Sequence, residues 1–332
     1  MSEIDIGDGT APIGTLNDGQ RFQVLALSGG GYRGLYSASV LATCEAQFKT
    51  QVKDRFDLIA GTSIGALLSA ALACGVPAKT VVEKFMHHGP KIFPKSKLKD
   101  AARLAVRAPY DREPLEAAID DTIGQAQAGA SLRDLKARLL IISVNATTGA
   151  PALFTSGGLS GAAASPIPLR DAILASAAAP SFFPVKKIGT DDHIDGGVLA
   201  NAPDLIAYGE ARRRLAMAQK EIFMLSIGTA GRRQGAALKP GENRPGGVSW
   251  LAAKGLVQTI MASQEALAVS EAKAFLGERH LRIDEEPAKA QEKAIADLDQ
   301  ADDHATQTLI SLAQLSWSRL GTDPRLRDYF VD

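Results

Sequence analysis

Gly61-Thr62-Ser63-Ile64-Gly65 is a G-x-S-x-G set between two apolar runs. The run before it, Phe56–Ala60, reads as a strand, and the run after it, Ile64–Ala73, reads as a helix. That is the context a nucleophile elbow requires. A turn this sharp needs small flanking residues. The serine it presents stands at a helix N-terminus, where free N–H groups and the helix dipole favour developing negative charge. The motif alone also arises by chance, and alone it would point to a histidine partner.

An acyl-transfer serine needs hydrogen-bond donors aimed at the oxyanion. Gly29-Gly30-Gly31-Tyr32-Arg33-Gly34 also follows a strand (Phe22–Leu27) and opens a helix (Leu35–Phe48), so it is the candidate oxyanion hole, with Gly30 and Gly31 as donors. Arg33 either fixes this loop or offers charge to the oxyanion or to a lipid phosphate. Gly29, Gly31 and Gly34 also fit the dinucleotide pattern G-x-G-x-x-G, which expects an acidic residue near the end of the next strand. Asp54 and Asp57 precede or open that strand, which ends instead in the serine elbow.

The serine also needs a base. The histidines are His87, His88, His193, His280 and His304, and His280 or His304 could close a Ser-Asp-His order. Only 62 residues and two strands precede Ser63, fewer than an α/β-hydrolase elbow needs, and most of these histidines read as surface residues. Asp195-Gly196-Gly197 fits better, because two glycines let the backbone bring a carboxylate close to a neighbouring loop. A carboxylate of reference pKa about 3.9 is a weak base in water, but desolvation in a drier cleft raises its basicity. Taken alone, D-G-G is a simple turn.

Together, in this order, the three segments resemble the patatin-like phospholipases. The stretches Ala175–Pro184 (ASAAAPSFFP) and Asn201-Ala202-Pro203 add to the likeness, which covers about residues 22–228. The resemblance implies a three-layer α/β/α fold with a mainly parallel central sheet. It implies a Ser63–Asp195 dyad without histidine, no metal or cofactor, and phospholipase A-type hydrolysis of the acyl esters of membrane glycerophospholipids. FQVLALSGGGYRGLY with a helical C-terminal part is similar to the cyclic-nucleotide-activated phospholipases of bacterial antiphage systems (the CapV type). That narrower likeness implies a cyclic dinucleotide activator and attack on the host's own membrane. Two other readings stay open, a non-catalytic nucleotide-binding regulatory module and a Ser-Asp-His esterase of α/β-hydrolase type.

The elements that must position these residues alternate between strand and helix, so the class is α/β. Beyond those named, strands are expected at Leu139–Ala146, Ile222–Ile227 and His280–Ile283. Helices are expected at Pro77–His88, Glu113–Ile123, Leu169–Ala178, Asp204–Ala218, Ser249–Phe275 and Asp302–Arg319. Ser131 and Asp134 read as the two ends of a capping box. The organisation is a loose lead-in over 1–20, a catalytic domain over 21–228, and a Gly/Arg-rich loop with a helical extension over 229–332.

The 332 residues are 45% hydrophobic and 22% charged, with 37 basic and 37 acidic side chains. Zero net charge argues against a nucleic acid polymer as partner. Cys44 and Cys74 read as buried free thiols, which suits a reducing compartment. The longest apolar run, Ala66–Val76, is too short to span a bilayer. The expected location is therefore cytoplasmic, peripheral at the inner membrane during activity, with a homo-oligomer left open. Ile92 and Phe93, beside Lys91, Lys95, Lys97 and Lys99 in residues 89–111, either pack in the core or form a membrane-touching lid. Phe182 and Phe183 read as core, and Arg212-Arg213-Arg214 as a solvated helix face. Arg232, Arg233 and Arg244 either lie in a surface loop or bind a phosphate-bearing activator.

Overall fold

Phe22–Leu27 (β1) is buried at all six positions, the pattern of a strand covered on both faces. The computed structural model describes residues 21–94, 108–231 and 255–331. In it β1 pairs in parallel with Leu58–Thr62 (β2) on one side and Ile222–Ile227 (β7) on the other. β2 pairs in parallel with Leu139–Asn145 (β3), and β7 with His280–Ile283 (β8). Ala150–Thr155 (β4), Lys186–Ile188 (β5) and Asp191–Asp195 (β6) add an antiparallel margin.

Successive strand residues face opposite ways, and the core divides accordingly. Leu25, Leu27, Ile59, Ile141, Leu225 and Ile227 face one layer of helices. That layer contains Gly34–Phe48 (α1), Ile64–Ala73 (α2), Ala78–Ile92 (α3), Glu113–Ile123 (α4) and Leu169–Ser176 (α5). Val24, Ala26, Leu58, Ala60, Leu140 and Met224 face the other side. There, beyond the short turn Gly197–Ala200 (α6), lie Asp204–Arg214 (α7) and Gly255–Leu276 (α8). The arrangement is a three-layer α/β/α fold. After β8 come Lys289–Glu292 (α9), Asp303–Leu320 (α10) and Pro324–Phe330 (α11). Leu309, Leu312 and Phe330 enter the first core. α10 is also fixed by buried hydroxyl pairs at 2.7 Å, Tyr32 with Thr306 and Tyr36 with Ser316.

The two edges of β3 decide where the site forms. β4 runs along residues 140–145 of β3. β2 pairs with 139–142 and β6 with 143–145, so both must lie on the edge opposite β4. β6 therefore takes up that edge on the residue after β2 leaves it.

Several expectations are corrected. β2 starts at Leu58 and runs through Gly61 and Thr62, because its pairing with β3 continues to Thr62↔Ile142. β4, β5 and β6 go beyond the expected strands; Ala150–Thr155 contains Pro151, and Asp191–Asp195 is largely polar. Ser131 caps one 3-10 turn by accepting from Arg133 N at 3.3 Å, not from Asp134 as a capping box would. Ile92 is buried, and Phe93 packs edge-on against Tyr110 and Phe183, so both belong to the core. Lys95, Lys97, Lys99, Arg232, Arg233 and Arg244 lie outside the described residues. Arg213 and Arg214 bind the buried Glu210, so that basic run is tied down on one side. No described helix is long and apolar enough to cross a membrane.

Candidate active site

Ser63 links β2 to α2 with φ 56° and ψ −124°. Few non-glycine residues adopt positive φ, and such strain costs about 1–3 kcal/mol unless the surroundings impose it. Here they do. Ser63 N–H donates to Ser176 Oγ at 2.8 Å, and that hydroxyl donates to Ile142 O at 2.6 Å. A Cβ on Gly61 would lie 2.1 Å from Gly65 O, and one on Gly65 would lie 2.2 Å from Leu27 O. Only glycine at both positions lets the turn close. Thr62 is buried, its hydroxyl donating to Ala200 O at 2.7 Å. Ile64 abuts the glycine loop, since a Cβ on Gly34 would come within 2.8 Å of Ile64 Cγ1.

β6 delivers Asp195 to this elbow. Ser63 Oγ donates to Asp195 Oδ2 at 2.6 Å, and Gly197 N–H donates to Asp195 Oδ1 at 2.6 Å. Gly196 N–H donates to Ser176 O, and a Cβ on Gly196 would strike Ile142 O at 2.1 Å. Asp195 is only 4% exposed. Burial pushes its carboxyl up to about 6, opposed by the hydrogen bonds from Ser63 and Gly197. At neutral pH it is ionised, and it is a stronger base than a carboxylate in water.

The glycine loop lies against the same serine, with a Cβ on Gly29 falling 3.1 Å from Ser63 Cβ. Gly29 N–H is already taken by Asn201 O at 2.9 Å, so Gly29 is not a free donor. Gly30 and Gly31 N–H have no acceptor among the described residues. Gly31 has φ +57°, and Tyr32 N–H donates to Leu298 O at 2.8 Å, which turns the loop over. The Arg33 guanidinium lies against Gly231, and its Nε is buried without a hydrogen-bond partner. Burial lowers its pKa, against the charges of Glu265, Asp284 and Asp297.

The histidines do not enter this arrangement. His280 Nε2 bonds to Asp204 Oδ1 at 2.8 Å with both side chains buried. Burial raises the Asp204 carboxyl, but the His280 hydrogen bond and the Arg282 charge outweigh it and hold it low. His88 pairs with Asp121, and His193 is buried against Phe154. The expectation that most histidines lie on the surface is therefore corrected: three of the five are buried, because two sit in inward-facing strand positions and one faces α4. Among the described residues no group of three His, Cys, Asp or Glu side chains could hold a metal ion.

The patatin-like phospholipase family profile matches residues 25–208. A cGAMP-activated phospholipase of Pseudomonas aeruginosa is 32% identical, covering 93% of this chain and 91% of its own. One from Escherichia coli is 31% identical over 95% and 94%, respectively. A cUMP-AMP-activated phospholipase of Escherichia coli is 30% identical over 74% of this chain. The chain belongs to the patatin-like phospholipases. It is thus a hydrolase, and the α/β-hydrolase alternative falls away.

This patatin-like site has supports beyond its three glycine-bearing motifs. Asn201 Nδ2 donates to Gly29 O at 3.3 Å and to Glu265 Oε2 at 2.7 Å. Gln264 on α8 accepts from Asn201 N at 3.0 Å and donates to Gly197 O at 2.9 Å. Arg282, largely shielded from solvent, binds Ser28, Ser226, Glu265 and Asp284. Of these, only Asn201 had been singled out in the sequence, as part of the Asn201-Ala202-Pro203 likeness.

Proposed function

We propose that Ser63 is the nucleophile and Asp195 the general base of a phospholipase A-type reaction on membrane glycerophospholipids. The observation that carries this is the 2.6 Å hydrogen bond from a strained serine to a buried carboxylate raised to about 6. As Ser63 Oγ attacks the ester carbonyl carbon, its proton passes to Asp195 Oδ2. The carbonyl oxygen becomes an oxyanion facing the free N–H groups of Gly30 and Gly31. Collapse breaks the ester C–O bond, and Asp195 returns the proton to the departing lysophospholipid oxygen. Asp195 then takes a proton from water, the hydroxide attacks the acyl-serine, and fatty acid leaves as Ser63 regains its proton. Gly197 N–H holds the carboxylate in place through both halves.

The relatives named as cGAMP- and cUMP-AMP-activated phospholipases support a cyclic dinucleotide as activator here too. In this reading the enzyme acts from the cytoplasm, peripherally at the inner membrane, and serves antiphage defence by degrading the cell's own lipid. A purely regulatory, non-catalytic module would have no use for the strain held at Ser63.

The test is fatty acid release from phospholipid vesicles by wild type and Ser63→Ala, each with and without cGAMP and cUMP-AMP. Release that vanishes in Ser63→Ala supports the catalytic assignment. Equal release by both proteins overturns it.

A further inference from the structure

Beside the glycine loop lies a cavity of about 1080 Å³ whose lining includes Arg33 and Asn201 but neither Ser63 nor Asp195. It is bounded by one face of α8, by β8 and by residues 287–298. We infer that this cavity receives a cyclic dinucleotide, met at its mouth by Lys289 and Lys293 and sensed at the oxyanion loop through Asn201, Thr229 and Leu298. This rests on the activator reading above and gives it a place.

Size, charge and unsatisfied groups support the assignment. Pockets for drug-sized ligands run to roughly 1,000 Å³, so the space suits a ligand of two nucleotides. Lys289 and Lys293 are exposed, stand four residues apart so that they share a side, and pair with no acid among the described residues. Such ammonium groups suit the phosphates of a dinucleotide. On the inner wall two buried polar atoms lack partners, Arg33 Nε and Asn201 Oδ1. Each is a desolvated polar group with no hydrogen bond to offset its burial. A ligand with phosphate acceptors and base amino donors can satisfy both.

The wall is also the outer support of the catalytic loop. Leu298 O holds Tyr32 N–H, and Thr229 Oγ1 and Asn201 Nδ2 both donate to Gly29 O. Asn201 reaches the base as well, through Gln264 and Gly197 to Asp195. A ligand that moves Asn201 or residues 287–298 therefore resets the Gly30 and Gly31 donors and the Asp195 carboxylate together. That is a coupling route through direct contacts.

Binding is measured calorimetrically on the full-length Ser63→Ala protein, so the result does not depend on turnover. The probes are cGAMP, cUMP-AMP, inorganic phosphate and glycerophosphocholine. On that background Lys289→Glu/Lys293→Glu reverses the mouth charges, and Val269→Trp, from the cavity lining, fills the space. The expected result is binding of at least one cyclic dinucleotide, weakened 30-fold or more by either variant, with the ligand-free melting temperature of the charge variant unchanged. Dinucleotide binding that both variants leave intact overturns the site. Glycerophosphocholine binding without dinucleotide binding overturns it in favour of a lipid headgroup pocket. No binding of either dinucleotide also overturns it, while Ser63-dependent lipolysis by wild type would leave the catalytic reading standing.

Discussion

Ser63 and Asp195 meet because they follow consecutive rungs of β3: Thr62 pairs with Ile142, and Asp195 pairs with Ser143. β2 gives up its edge of β3 where β6 takes it over, so the end of one strand delivers the serine and the end of the other the carboxylate. The hydrogen bond between them is 2.6 Å long. The Ser63–Asp195 contact is thus a product of sheet register, with Gly197 N–H holding the carboxylate from its other side.

Asp195→Asn is expected to separate activity from stability. It removes the proton acceptor, and fatty acid release should fall by about 10²–10⁴. Folding raises the Asp195 carboxyl from 3.8 to about 6, so this group's contribution to stability is fully present below pH 4 and is lost as pH rises through 6. In the asparagine variant position 195 does not titrate. Urea unfolding should show a small difference at pH 4 and a gain for the variant on the order of 2–3 kcal/mol at pH 8. A variant less stable than wild type at pH 8 would contradict the desolvated carboxylate.

In the proposed mechanism the same titration governs the rate. Only ionised Asp195 can accept the serine proton, so kcat/KM should rise with pH through a midpoint near 6 and level off above 7. Hydrolysis of a soluble short-chain ester, measured from pH 4.5 to 8, reads this directly. A flat profile would remove Asp195 as the base.

Ser63→Gly and Ser63→Ala are both expected to abolish turnover, and both lose the same bond to Asp195. They differ in backbone strain, because only glycine tolerates φ 56° freely. Ser63→Gly should be more stable than Ser63→Ala by about 1 kcal/mol in paired denaturation curves. Equal stability would mean that the elbow is unstrained.

His280→Ala tests the histidine-free site. It leaves Asp204 buried without its imidazole partner, which typically costs about 3–5 kcal/mol. Thermal melting should drop sharply, while turnover per folded molecule stays near the wild-type level. His304→Ala, at an exposed position in the first turn of α10, should change neither. Loss of turnover in folded His280→Ala protein would restore a histidine role.

Much of the site was legible because its parts are local. The glycines of the elbow and the loop are forced by close backbone approach within a few residues, and such constraints leave a pattern in sequence. Asp195 was legible only through Gly196 and Gly197, since the strand that carries it reads Asp-Asp-His-Ile-Asp and hides its periodicity. The antiparallel margin was missed for that reason. The supports from α8 were missed for another: Gln264 and Glu265 are ordinary polar residues on a long helix, and only tertiary contact gives them Gly197 and Asn201 as partners. Burial of His193 and His280 was likewise invisible, because a histidine in a short strand carries no sign of which face it occupies.

The handover on β3 also sets the order in which the proposed site can assemble. During synthesis the elbow leaves the ribosome 132 residues before its base. Until β6 has docked beside Ser143, the nascent chain carries a serine with no carboxylate to accept its proton. On the proposed mechanism such a chain cannot degrade lipid while half made, and a register slip of one residue in β6 would remove the contact with Ser63.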